Sequence, residues 1–182
     1  MSEVPDGVTL ASLERRPPRP TATMTMTRDG PDGVEVLLGL RSPTMRAFPS
    51  YWAFPGGGVS SVDAAAVEQL QGLEGPQSKT IACILREMSE ELGLAPSSEG
   101  LVAIAPEVRA EIIADKTRYL QLALEGHVPH DRSKLKVLCH RITPPFGPVQ
   151  FDNAFLHFHA GEASSMPEID LEPQTEFTEI MW

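Results

Sequence analysis

The stretch Thr80 to Leu94, TIACILREMSEELGL, governs the reading of the whole chain. Ile81, Ile84, Leu85, Met88 and Leu92 recur at helical spacing and predict an apolar stripe. Glu87, Glu90 and Glu91 fall at i, i+3 and i+4 on another side, and Gly93 follows where a helix C-cap belongs. Like charges at this spacing repel by roughly a few tenths of a kcal/mol unless a cation is held between them. A hard ion with oxygen ligands suits such a cluster, and magnesium is commonly shared between carboxylates and substrate phosphates. The competing reading is a solvated acidic helix end. Arg86 beside the cluster, and the turn FPGGG at Phe54 to Gly58 ahead of it, favour the cation.

Outward from this helix, 182 residues fit one domain able to bury a core without disulfides. Cys83 and Cys139 are too few for a disulfide framework and lack metal-site spacing, and Cys83 beside the apolar stripe reads as a small buried residue. The formal charge of -10 argues against nonspecific nucleic-acid binding, which draws on lysine and arginine. A small phosphate-bearing substrate needs only a metal ion or a few placed arginines. No run is apolar for long enough to span a bilayer, and MSEVPDGVTL lacks a signal-peptide layout, so a cytoplasmic protein without a membrane partner is expected.

In chain order, residues 1–20 read as an extended Pro- and Arg-rich arm, and residues 21–182 as a single domain. Thr21 to Thr27 and Val34 to Leu40 predict a hairpin closed by DGPDG. Arg41 to Tyr51 is a loop and Trp52 to Phe54 a short strand. Residues 59–79 read as an inserted surface loop, with a helical turn or two over Asp63 to Gln71. A turn at PSSEG precedes a strand at Leu101 to Ala105. Glu107 to Leu124 suits either helix or strand, with helix favoured. Leu135 to Thr143, Gln150 to Ala160 and Glu176 to Trp182 read as strands, with a turn at PPFGP. This order predicts an α+β or α/β/α sandwich with a mixed sheet.

These residues resemble a known signature. REMSEELGL satisfies the second half of the Nudix box, G-x5-E-x7-R-E-U-x-E-E-x-G-U with U aliphatic, at Arg86, Glu87, Met88, Glu90, Glu91, Gly93 and Leu94. The first half departs from it. Counting from Gly57 puts Asp63 at the first glutamate, and the chain then runs about fifteen residues longer before Arg86. Counting back from Arg86 puts Ser78 at the glutamate and Gly72 at the glycine, but only Gly57 has the strand and FPG before it. The resemblance implies a Nudix fold with a catalytic loop-helix-loop and a Nudix diphosphatase activity. Glu90 and Glu91, helped by the Gly57 carbonyl, would hold Mg²⁺ or Mn²⁺. Glu87 would be a further ligand or the base that activates water, and Arg86 would pair with a neighbouring carboxylate. Loss of the first glutamate is expected to weaken helix-loop anchoring more than chemistry.

Leu37 to Gly57, LLGLRSPTMRAFPSYWAFPGG, is similar to the pattern L-L-T-x-R-S-x3-R-x3-G-x3-F-P-G-G of coenzyme A diphosphatases. It matches at Leu37, Leu38, Arg41, Ser42, Arg46 and Phe54 to Gly57, while Gly39 replaces the threonine and Ser50 the glycine. Arg141 to Ala160 also resembles the W-x-T-P...R-Y/F-D-T-R-F-F segment of the peroxisomal acyl-CoA diphosphatase branch, which carries an insertion in its box. The likeness implies hydrolysis of CoA or acyl-CoA to 3',5'-ADP and (acyl-)phosphopantetheine. Arg41 and Arg46 would meet phosphates, or else form ordinary surface ion pairs, and Trp52 and Phe54 would stack on adenine or join the core. The alternatives are a pyrophosphatase acting on ADP-ribose, NADH or another nucleotide, and a non-catalytic nucleotide-binding Nudix protein. His157 and His159 face one way on a strand without a third ligand at compatible spacing, and His127 and His130 read as loop residues. The resemblance also implies a closing helix after Trp182. Without it a sheet face is less covered, which makes a homodimer an expectation.

Overall fold

RPTATMTMTRDG alternates threonine with apolar residues, and the strand it forms runs through the middle of the protein. The computed structural model describes residues 17–144, 149–172 and 174–182. In chain order the first elements are β1 (Arg19–Gly30), β2 (Gly33–Val36), β3 (Leu38–Arg41), β4 (Trp52–Ala53) and β5 (Gly56–Gly58). Then come α1 (Ser61–Gln69), α2 (Ser78–Glu87), a π-turn (Met88–Leu92), β6 (Leu94–Ser97) and β7 (Gly100–Ala103). The remaining elements are α3 (Pro106–Ala114), α4 (Arg118–Leu124), β8 (Lys136–Ile142), β9 (Phe151–Glu162) and β10 (Phe177–Met181).

The main sheet has the order β2-β1-β9-β8, with β5 also paired to β1. β1 and β9 are parallel and the other pairs antiparallel, so the sheet is mixed and the fold is α+β as expected. A second sheet has the order β10-β3-β4, and β6 and β7 form a separate hairpin. Met24, Met26, Leu156 and Phe158 point from the main sheet into a core that includes Ile81, Ile84 and Leu85 of α2. Burying each such side chain contributes about 1.5–3 kcal/mol.

Three expectations are corrected. Val34 to Leu40 is not one strand. It breaks at fully buried Leu37, whose N–H still donates to the Met26 carbonyl at 3.0 Å, and continues as β3 in the other sheet. The segment read as a surface loop contains α1 and buries Ala66, Leu70 and Leu73 in the core. The helix is not α throughout: after Glu87 it continues as the π-turn, which Gly93 closes at φ 65° as the expected cap, and Leu94 starts β6. Glu107 to Leu124 is helical, as favoured, but split into α3 and α4. Of the N-terminal arm, residues 1–16 lie outside the described residues, as do 145–148 of the PPFGP turn.

The glycines of FPGGG earn their place at β5. Gly56 has φ 145°, and a Cβ there would strike the Ala22 carbonyl and the Thr23 Cα of β1. Gly56→Ala is therefore expected to cost about 1–3 kcal/mol in urea denaturation. A loss below about 0.5 kcal/mol, the range of an ordinary surface change, would show that β5 is not held against β1 as described.

Candidate active site

α2 is buried nearly all round: Ile81 to Met88 are each at most 8% exposed, Arg86 and Glu87 included. The acidic side is covered rather than solvated, against the competing reading of a solvated helix end, and the charges there need internal partners. Arg86 supplies them. Its Nε lies 2.8 Å from Asp63 Oδ1, and Nη2 lies 3.2 Å from Asp63 Oδ2. Nη1 reaches Glu87 Oε1 at 2.8 Å and Glu90 Oε2 at 3.1 Å, and Nη2 donates to the Gly58 carbonyl at 3.3 Å.

Asp63, fully buried, has a second task. Its Oδ2 accepts the Ser60 N–H at 2.7 Å and the Ser60 hydroxyl at 2.9 Å, closing the N-terminus of α1. Asp63 thus anchors the start of α1 to the acidic helix. Spacing from Gly57 had already marked the residue.

Glu91 Oε2 accepts the Gly56 N–H at 2.9 Å. A Cβ on Gly57 would run into the Glu87 carboxylate, so the β5 backbone packs directly on the acidic cluster. The Gly57 carbonyl points at Cys83, whose Sγ lies 3.7 Å away in the buried position expected for that residue. Burial pushes the Glu87 carboxyl up to about 7, with Arg86 opposing and Glu90 adding to the rise. Burial also raises Glu90, against the pull of Arg86. Glu91 is driven well above the usual carboxylate range by burial, then by the charges of Glu87 and Glu176.

One oxygen each of Glu90 and Glu91, the two Oε1 atoms, is buried without a hydrogen-bond partner. Such atoms are costly to leave unpaired, and a hard divalent cation is the partner that carboxylate oxygens fit. Among the described residues no three His, Cys, Asp or Glu side chains already converge on a metal position. The carboxylates are drawn toward Arg86 and Gly56 instead, so a cation would bind by displacing part of that network. Cavities of about 220 Å³ beside Trp182 and about 490 Å³ beside Arg132 open elsewhere on the molecule.

Glu176, just before β10, was not singled out by the sequence, although its charge reaches both Glu87 and Glu91. Nothing local marks it, because the fold brings it in from the far end of the chain. It also pairs with Arg41, at 3.8 Å. Arg41 spends its Nε on the Ala47 carbonyl at 3.0 Å and so closes its own loop, while Arg46 is exposed. Trp52 and Phe54 are 40% and 36% exposed, on the surface rather than in the core. Phe48 and Tyr51, which the sequence did not flag, are still more exposed and meet edge to face at 6.2 Å.

Both departures from the loop pattern have structural counterparts. Ser50, at the pattern's glycine, has φ 60°, a left-handed backbone that glycine adopts most easily. Gly39, at the pattern's threonine, lies under the Phe177 ring, where any Cβ would collide. His157 and His159 do face the same way: both bond Thr27 Oγ1, at 2.9 and 3.1 Å, and His159 reaches Asp29 at 3.2 Å. His127 and His130 lie outside helices and strands.

No family model matches the chain. An uncharacterised Nudix hydrolase, NudL of Klebsiella aerogenes, is 36% identical over 73 residues, which are 40% of this chain and 49% of that protein. The match thus spans about half the length of that curated relative. The crystal structure of a Nudix hydrolase from Alicyclobacillus acidocaldarius superposes with a TM-score of 0.73 at 27% identity, covering 91% of this chain and 78% of that one. The Nudix domain of Shewanella oneidensis NrtR, solved with ADP ribose, gives 0.50 at 11% identity over 92% and 73% of the two chains, a likeness of fold alone. The chain has the Nudix fold. Its sequence is similar to Nudix hydrolases.

Asp63→Ala is expected to cost about 3 kcal/mol in urea denaturation, because it strips a buried guanidinium of its two-point partner. A loss under about 1 kcal/mol, the size of an exposed pair, would mean Glu87 and Glu90 hold Arg86 without help.

Proposed function

We propose that the chain is a metal-dependent diphosphatase, hydrolysing a nucleoside diphosphate linked to another moiety. The observation that carries this reading is the pair of buried, unpartnered Oε1 atoms of Glu90 and Glu91, set beside the β5 backbone. Glu90, Glu91 and the Gly57 carbonyl would hold Mg²⁺ or Mn²⁺, with Glu87 as a further ligand or as the base that takes a proton from water. Bound there, the ion supplies the Lewis acidity that neutralises charge building on the diphosphate. Arg86 keeps Glu87 and Glu90 in one orientation. Water adds to one phosphorus, the bridging P–O bond breaks, and the bridging oxygen leaves with the other phosphate.

Within that class the substrate we infer is CoA or acyl-CoA, giving 3',5'-ADP and (acyl-)phosphopantetheine. The loop residues matching the CoA pattern support it, as does the left-handed backbone at Ser50. The exposed aromatics of that loop offer faces on which adenine can stack. Arg46 is free to meet a phosphate, while Arg41 would have to leave Glu176 to do so. ADP-ribose, bound by the NrtR domain, is the competing ligand. No helix among the described residues is long and apolar enough to cross a membrane.

With Mg²⁺ and a panel of CoA, ADP-ribose, NADH and dinucleoside polyphosphates, chromatography of the products is expected to show CoA cleaved fastest. Turnover of ADP-ribose but not CoA would overturn the substrate, and turnover of no compound would leave a nucleotide-binding protein. Glu91→Gln keeps an acceptor for the Gly56 N–H but loses the charge, so it should fold normally and lose turnover. An unchanged kcat would refute Glu91 as a ligand.

A further inference from the structure

Arg109, on α3, is a cation only 3% exposed, yet its recorded bonds all go to main-chain carbonyls. Nε donates to the Glu90 carbonyl at 3.1 Å and Nη2 to the Glu91 carbonyl at 2.8 Å. Nη1 donates to the carbonyls of Asp170 at 2.6 Å and Glu172 at 3.0 Å. The last carbonyls of a helix lack intrahelical partners, and they mark its negative dipole end. A planar guanidinium can answer several of them at once, in directions an ammonium cannot match. Gly93 lets it approach: a Cβ there would sit 3.0 to 3.2 Å from the end of the Arg109 side chain, tighter than ordinary packing.

The Arg109 guanidinium thus joins two segments of the chain. One carries Glu90 and Glu91. The other leads within a few residues to Glu176, whose charge bears on Glu87 and Glu91. We propose that Arg109 is a positioning residue that locks the backbone of Glu90 and Glu91 to the segment 170–172 and so sets the spacing of the carboxylates. Its consequence for cation binding rests on the function proposed above; the lock between the two segments does not.

The test compares the whole chain with Arg109→Lys, which keeps the charge but not the fork, and with Arg109→Gln as a second variant. Ile112→Val, a change in the buried side of the same helix, controls for lost packing. Amide hydrogen exchange is expected to quicken about tenfold in both 88–93 and 170–172 in the Arg109 variants and in neither with Ile112→Val. Mn²⁺ affinity, by calorimetric titration, is expected to fall about tenfold, the scale seen when groups supporting metal ligands are removed. Exchange that quickens in one segment only, or equally in the control, overturns the lock. Unchanged Mn²⁺ affinity with quickened exchange overturns the positioning role. A wild-type chain that binds no Mn²⁺ removes the metal reading, while the exchange data still decide the lock.

Discussion

The pairing of Arg86 with Asp63 is the constraint on which the site depends. A guanidinium this deeply buried has to be met by acceptors on every side, and Asp63, Glu87, Glu90 and the Gly58 carbonyl together surround it. One contact therefore ties α1, the end of β5 and the acidic helix into a single unit. Burial by itself would make Arg86 easier to deprotonate. The Asp63 hydrogen bond and the charges of Glu87, Asp63 and Glu90 outweigh that and fix its charge. The carboxylates gain orientation from the same bonds, at the cost of being held out of water.

The π-turn adds a second constraint. It places Glu90 and Glu91 where the helical hydrogen-bond ladder has widened, so their carbonyls face outward to another partner, while Gly93 turns the chain sharply into β6. The side chains and the main chain of the same two residues are thus held by different partners. Arg86 and the Gly56 N–H hold the carboxylates, and Arg109 holds the peptide groups.

What the sequence made legible was local. The spacing of Arg86, Glu87, Glu90 and Glu91 gave the cluster, while the distance from Gly57 reached Asp63 only as a substitute for a glutamate, not as the partner of Arg86. Alternation marked β1, and the stretches that form β8 and β9 also read as strands. The rest depended on information a single stretch does not carry. Leu94 to Ser97, which contains a proline, did not read as a strand, yet it pairs with β7 through a hairpin. The break at Leu37 has no glycine or proline to announce it; it exists because Leu37 fills the core as the chain passes between sheets. Glu176 and Arg109 reach the cluster from distant parts of the sequence, and neither lies in a recognisable pattern. A helix buried on every side also defeats a two-faced reading, because the cover comes from α1 and β5 rather than from the helix itself.

That passage at Leu37 separates two kinds of change. β3 and β4, the ends of the Arg41 to Tyr51 loop, pair with each other in the small sheet, whereas β5 pairs with β1 in the large one. The loop can consequently lengthen, shorten or exchange its aromatics with its strain absorbed by a two-strand clasp. The glycine backbone under the carboxylates stays pinned to the central strand. Such a division lets the loop change while the acidic cluster stays fixed, and it marks the clasp as the natural seam along which to graft one loop onto another.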